Sequence, residues 1–219
     1  MAISFVNGNQ VYSASYVASL AVPPPASIAD GDILVCTVLA AGGTLASINA
    51  PDANWTSIGG QWTTSPRHIE TFWKRCSSES GDYTFTGTDL RLAAIVAFRG
   101  CKASGDPQNV AASNTAYNTS DTIIRAAGLT LTAASTLVWC GARYASYGIT
   151  KNADFSLGAQ AAGGSFEVEI DYRYNVASGG TGNIDGSFTN AVTNKAAQML
   201  ALEEPAAATG KPYYYLAQL

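Results

Sequence analysis

Charge is scarce in this sequence. Lys, Arg, Asp and Glu together make up 13% of 219 residues, about half the usual quarter. Twelve basic against sixteen acidic side chains leave a net charge of -4. No basic cluster breaks that balance, so the electrostatic attraction that drives nucleic-acid binding is missing, and no nucleic-acid partner is expected. Histidine occurs once, at His68. A Ser-His-acid triad would have to be built on it, and no G-x-S-x-G turn accompanies it. At the start of an apolar run, His68 reads as a solvated residue at a strand end. Phosphate-binding loops, dinucleotide fingerprints and H-x-x-x-H pairs are absent too. Neither catalytic residues nor a cofactor are expected. Apolar runs stop at strand length, well short of the roughly 20 residues of a membrane helix, and no membrane partner is expected. Met1 to Phe5 has neither a cationic region nor an apolar block, so no secretory signal is read there.

Cysteine is present but scattered. Cys36, Cys76, Cys101 and Cys140 are separated by 40, 25 and 39 residues. Zinc ligands come in close pairs, so no metal is expected. Cys36 and Cys140 lie inside apolar runs, where cysteine acts as a small buried hydrophobe. Unpaired thiols suit synthesis in a reducing cytoplasm.

What the chain does contain is strand material. Hydrophobic residues reach 47%, enough for a sizeable core. Clusters of Gly, Ser, Thr, Asn and Pro recur every ten to fifteen residues, with Val-, Ile- and aromatic-rich runs between them. That spacing predicts an all-β sandwich or barrel. Residues 11–22 alternate and end at Pro23-Pro24-Pro25. Asp30-Gly31-Asp32 is a tight turn into the apolar run 33–40. Further strands are predicted over 68–76, 83–86, 92–98 and 166–174. Residues 193–204 have helix propensity.

A repeat overrides that propensity. Leu34-Val35 is echoed by Leu137-Val138, Trp73-Lys74 by Tyr172-Arg173, Phe85-Thr86 by Phe188-Thr189, and residues 93–99 by 197–203. The displacements are 103, 99, 103 and 104. The series predicts two pseudo-repeats, about 1–104 and 105–205, joined in one two-sheet antiparallel sandwich, since four strands alone leave an apolar face wet. It also makes the segment around Met199 a strand.

Pro24-Pro25-Ala26-Ser27-Ile28-Ala29-Asp30-Gly31-Asp32-Ile33-Leu34-Val35 begins a recognisable series. Ala50-Pro51 with Trp55-Thr56 follows, then Phe72-Trp73-Lys74-Arg75 and Gly81-Asp82-Tyr83-Thr84-Phe85-Thr86. Ala93-Ala94-Ile95-Val96-Ala97-Phe98-Arg99-Gly100 closes it. The series resembles a group of phage and bacterial surface modules with a "GD-apolar" strand, an "AP…GWT" loop, an aromatic-basic strand, "YTFT" and an "A…AxRG" strand. The likeness covers the first 101 residues and, more loosely, the second half. It departs at Asn54, where the pattern has glycine. The resemblance implies a jelly-roll-like sandwich in virion structural proteins: capsid decoration, head-fibre or tail-associated. It brings no catalytic residues. Its implied partners are other virion proteins and copies of the chain itself, on a virion assembled in the host cytoplasm.

Three features carry binding hypotheses. Glu167, Glu169 and Asp171 share one strand face, with Arg173 continuing the row; a solvated outer face paired to Arg173 is preferred over a calcium site or a glycosidase pair. Trp55, Trp62, Trp73 and Trp139 are candidate sugar-stacking platforms. Trp73 and Trp139 fall in strands and read as core, which leaves Trp55 and Trp62 in a loop-rich stretch, with Trp62 the best exposed candidate for a host glycan. Residues 206–219 form a C-terminal arm. Tyr213, Tyr214, Tyr215, Leu216 and Leu219 in it are candidates for docking on a neighbouring subunit, or on an edge of their own sandwich. A virion structural component, a carbohydrate-binding adhesion module and a hydrolase are the functions in play, in that order.

Overall fold

The structure is a computed structural model that describes residues 2–42, 47–60, 67–117, 119–145 and 147–205. Trp62 and the arm 206–219 lie outside the described residues. All described regular structure is β. The first half carries β1 (Ser4–Val22), β2 (Ile33–Ala40), β3 (Ile48–Asn49), β4 (Thr56–Gly59), β5 (His68–Arg75) and β6 (Tyr83–Arg99). The second carries β7 (Ser113–Tyr117), β8 (Asp121–Ala126), β9 (Thr130–Leu131), β10 (Ser135–Tyr144), β11 (Ser156–Gly163) and β12 (Phe166–Val176). It ends with β13 (Gly179–Gly180), β14 (Ile184–Val192) and β15 (Lys195–Glu203). No described helix is long and apolar enough to cross a membrane.

Two antiparallel sheets form the body. One runs β1-β6-β2-β5-β4, the other β7-β15-β10-β12-β11. Read in this direction, equivalent positions hold strands about 100 residues apart. The registers match as well: Val35 pairs with Val96 and Val138 with Leu200. Ile48 pairs with Gly87, and Thr150 with Ser187. Each sheet is drawn from one half of the chain. Within each sheet strands distant in the chain lie side by side: β6 sits between β1 and β2, and β15 between β7 and β10.

Alternation along the central strands explains their apolar composition. Ile33, Val35, Leu92, Val96 and Phe98 of the first sheet meet Val138, Cys140, Val168, Ile170 and Leu200 of the second in one shared core. The intervening residues point outward, yet they do not reach water. Leu34, Cys36, Val38, Phe72 and Ile95 are covered by Leu20, Trp55, Tyr83 and Phe85. Leu137, Trp139, Ala197 and Met199 are covered by Ile124, Ile149, Phe155, Ile184 and Phe188. Each half therefore has a core of its own besides the shared one. Strands buried on both faces read as continuous apolar runs rather than alternating ones.

The covers come from strands that bend over. Residues 4–12 of β1 pair with 92–99 of β6 in the sheet, and 17–22 pair with 83–90 in the cover. The two segments predicted over 83–86 and 92–98 are thus one strand, turned at Asp89, whose φ is 56°. In the second half β8 and β14 make the cover, and Asn194, with φ 58°, stands where β14 gives way to β15. Asp and Asn tolerate this left-handed conformation better than other side chains.

The residues behind the phage-module likeness meet in one place. Gly31, at φ 90°, turns the chain so that Asp32 is buried. Its carboxylate takes Arg99 Nε at 2.9 Å and Nη2 at 2.7 Å, and the amide of Ala29 at 2.8 Å. Trp55 packs edge-on to Tyr83 and Phe85 at 5.1 and 5.4 Å, with Lys74 5.9 Å from its ring. These motif residues clamp the first half together. A buried polar chain ties the halves: Thr37 to Thr71 at 2.8 Å, Thr71 to Gln198 Oε1 at 2.6 Å, and Gln198 Nε2 donating to Gly59 O and Asn114 Oδ1.

All four cysteines are buried and unpaired. Burial pushes Cys76, Cys101 and Cys140 up to about 12 and raises Cys36 as well. At pH 8 the native protein is therefore expected to give almost no reaction with a thiol reagent over minutes, and all four thiols only in denaturant. Reductant leaves the melting temperature unchanged. Rapid titration of even one native thiol contradicts this placement.

Candidate functional site

Two clusters outside the motif clamp have functional chemistry. The first is the carboxylate row on β12. Its neighbours across the ladder are Trp139, Gly141 and Arg143 of β10 on one side and Leu157, Gln160 and Ala162 of β11 on the other. Far from being a solvated face, the row is sealed: Glu167, Glu169 and Asp171 are 1%, 3% and 1% exposed. The physical reason is the loop between β10 and β11, which contributes Ile149 and Phe155 to the outer core. The expected partner is also corrected. Arg173 is exposed and reaches Asp154 at 3.4 Å, while Arg143 from β10 makes the buried pair with Glu167. Glu167 is further held by the Ile149 amide at 3.0 Å and by Gln160 Nε2.

Glu169 and Asp171 have no such counter-ion. Gln160 Nε2 gives Glu169 one hydrogen bond at 3.1 Å, but Glu169 Oε1 and both Asp171 oxygens lack protein donors. Burial, then the Asp171 charge, pushes Glu169 up to about 9. Burial raises Asp171 to about 6 against the opposing pull of its hydrogen bond to Glu169 and of Lys151. Two like charges in one dry site cannot both form, so the pair shares a proton through neutral pH. A proton on Glu169 supplies Asp171 with the donor it otherwise lacks. Such a pair is tuned like an acid-base couple, but the covering loop closes it to any substrate-sized molecule.

The second cluster lies at the surface, across the seam of the halves. Arg91 of β6 has its guanidinium 4.9 Å from the Tyr16 ring, 5.4 Å from Tyr12 and 5.1 Å from Phe166. Phe166 stands 5.0 Å from Tyr144, whose ring carries the Arg67 guanidinium at 3.8 Å. Rings and guanidinium groups thus form one continuous row from Tyr16 to Arg67. Tyr16 is 52% exposed, Tyr12 38% and Tyr144 36%. The ladder between β1 and β6 is interrupted from Tyr12 to Val17, and Arg91 Nη1 holds this bulge through Ala14 O at 2.8 Å.

Of the tryptophans, Trp55 and Trp139 are buried and Trp73 is half-buried. His68 starts β5 as expected but is buried rather than solvated, with Nε2 3.5 Å from Glu70. Among the described residues, no group of three His, Cys, Asp or Glu is placed to hold a metal ion. The tyrosine-arginine row escaped sequence reasoning because Tyr16, Arg91 and Tyr144 are far apart in the chain and share no motif. Comparison with family models, curated proteins and solved structures gives no match.

Proposed function

We propose that the chain is a non-enzymatic structural component of a bacteriophage virion, with capsid decoration or cementing as the first assignment. The observation that carries a binding role is the row of rings and guanidinium groups across the seam, in which Tyr12, Tyr16 and Tyr144 are exposed. Its chemistry is contact chemistry: aromatic faces and planar donors are the side chains that dominate protein interfaces. The tuned carboxyls, by contrast, are sealed. The virion setting rests on the motif resemblance, whose residues act here as scaffold in the Asp32–Arg99 clamp and around Trp55. In this reading the halves are copies of one unit of about 100 residues, which accounts for the equivalent strand orders. Partners are other virion proteins and further copies of the chain. A second reading, a carbohydrate-binding adhesion module, draws on the exposed tyrosine faces.

Add-back to particles lacking the chain tests the assignment. Purified full-length protein is expected to bind such particles saturably. Deleting residues 206–219 is expected to reduce occupancy at least tenfold, because the Tyr213-Tyr214-Tyr215 segment would be the docking arm. Unchanged occupancy removes the arm from the account, and no binding by the full chain removes the virion assignment.

A further inference from the structure

We propose that the row formed by Tyr16, Tyr12, Arg91, Phe166, Tyr144 and Arg67 is a binding surface for an acidic saccharide. The inference rests on the carbohydrate-binding reading, for which it names the class of saccharide, and is independent of the virion assignment.

Charge gives the first argument. Arg99, Arg125, Arg143 and Arg173 each pair with a carboxylate. Among the described residues, Arg67, Arg75 and Arg91 have none within ion-pair distance, and Arg75 is turned to the Gly31 and Gly105 carbonyls at 3.3 Å. In a chain of net charge -4, two uncompensated guanidinium groups share this surface. Arg91 is 8% exposed, and its Nε and that of Arg67 are buried without a described acceptor. Arg91 Nη1 and Nη2 donate to Ala14 O and the Tyr12 hydroxyl and so fix that part of the row, while the planar guanidinium of Arg67 matches a carboxylate.

Shape gives the second. Half-exposed tyrosine rings offer flat faces, which suit the C–H face of a sugar ring beside its carboxylate. At the turn between β11 and β12, a Cβ on Gly163 would collide with the Tyr12 ring, so glycine lets that turn lie close beside it. A peptide strand is not the occupant this surface fits. Strand addition needs a free ladder edge, and β1 packs against β11, with Gly8 too close to the Gly158 carbonyl for any side chain. Recognition therefore runs through ring faces and donors, and the anion belongs to a saccharide.

Calorimetry on the purified full chain tests this without any particle, so its failure is separate from failure of the virion assignment. The probes are polygalacturonate and polysialic acid, with dextran as the neutral control and poly-glutamate as the peptide control. Saturable binding to at least one acidic polysaccharide is expected, weakened by salt and at least tenfold tighter than to dextran or poly-glutamate. Tyr16→Ala and Arg67→Ala are each expected to weaken it at least tenfold. Tyr16→Phe, which keeps the ring, and Arg173→Ala, which is distant in the ladder and already paired, leave it intact. The proposal is overturned if neither acidic polysaccharide binds or if poly-glutamate binds as well. It is equally overturned if folded Tyr16→Ala and Arg67→Ala bind like the parent.

Discussion

Glu169→Gln raises the melting temperature at pH 8 by about 5–10 °C, at about 2–4 °C per kcal/mol for a chain of this size. The cause is the buried pair with Asp171. Burial lifts Glu169 above the ordinary carboxylate range, so the native state binds a proton that the unfolded chain releases near pH 4.5. Where the native state holds more protons, stability falls as pH rises. The stabilisation is complete below the unfolded pKa and is lost as pH climbs toward about 9. Over that window the deficit grows to the order of a few kcal/mol. Glutamine removes it with little change in shape. Its amide can donate to Asp171, which lacks a protein donor, and its oxygen can accept from Gln160 as Glu169 does. The gap between variant and parent is therefore smallest near pH 5 and widest near pH 9. Groups facing the pair are Glu167 on the same strand, Lys151 in the covering loop and Gln160 on β11. Thermal melts of both proteins from pH 5 to 9 decide the point. A variant destabilised at pH 8, or a gap that does not change with pH, contradicts it.

The opposite effect is expected two residues away. Arg143→Met strands Glu167, which is 1% exposed, with its charge uncompensated. Breaking one side of a buried ion pair costs about 3–5 kcal/mol, a fall of roughly 10 °C or more in melting temperature. The loss comes from the abandoned charge rather than from the pair's own worth. The double variant Arg143→Met with Glu167→Gln is therefore expected to recover at least half of it, since a neutral amide still accepts from the Ile149 amide. Urea melts of the parent, both singles and the double form a complete cycle. A mild single variant, or a double no better than the worse single, shows that the pair is not the local support described here.

Both expectations turn on a face that alternation misassigns. In residues 166–174 alternation turns the apolar positions inward and the carboxylates out to water. The signal that corrects this lies on the neighbouring strand. Leu137-Val138-Trp139-Cys140 is apolar at every position, so β10 is covered on both faces, and β12 beside it inherits that cover. Strand identity was legible elsewhere, in 33–40, 68–75 and 92–98, because β-branched and aromatic runs ended at turn residues. The strand around Met199 was legible only through the internal echo, since its residues prefer helix and tertiary pairing decides against them. The two-layer cover was not legible. It depends on β6 turning at Asp89 and β1 bulging between Tyr12 and Val17, and the polar run Thr86-Gly87-Thr88-Asp89 reads as a break between two strands rather than a bend within one. The surface row of rings and guanidinium groups is purely tertiary: Tyr16 and Arg91 are 75 positions apart, and only the β1–β6 ladder brings them together.

Sedimentation tests the virion assignment most directly. A lysate from infected cells is separated on a density gradient, and each fraction is quantified for this chain and for the major capsid protein by mass spectrometry. A virion component peaks with the particles, at a fixed ratio to capsid that survives a second gradient. A chain left at the top of the gradient, with none above background in the particle band, contradicts the assignment.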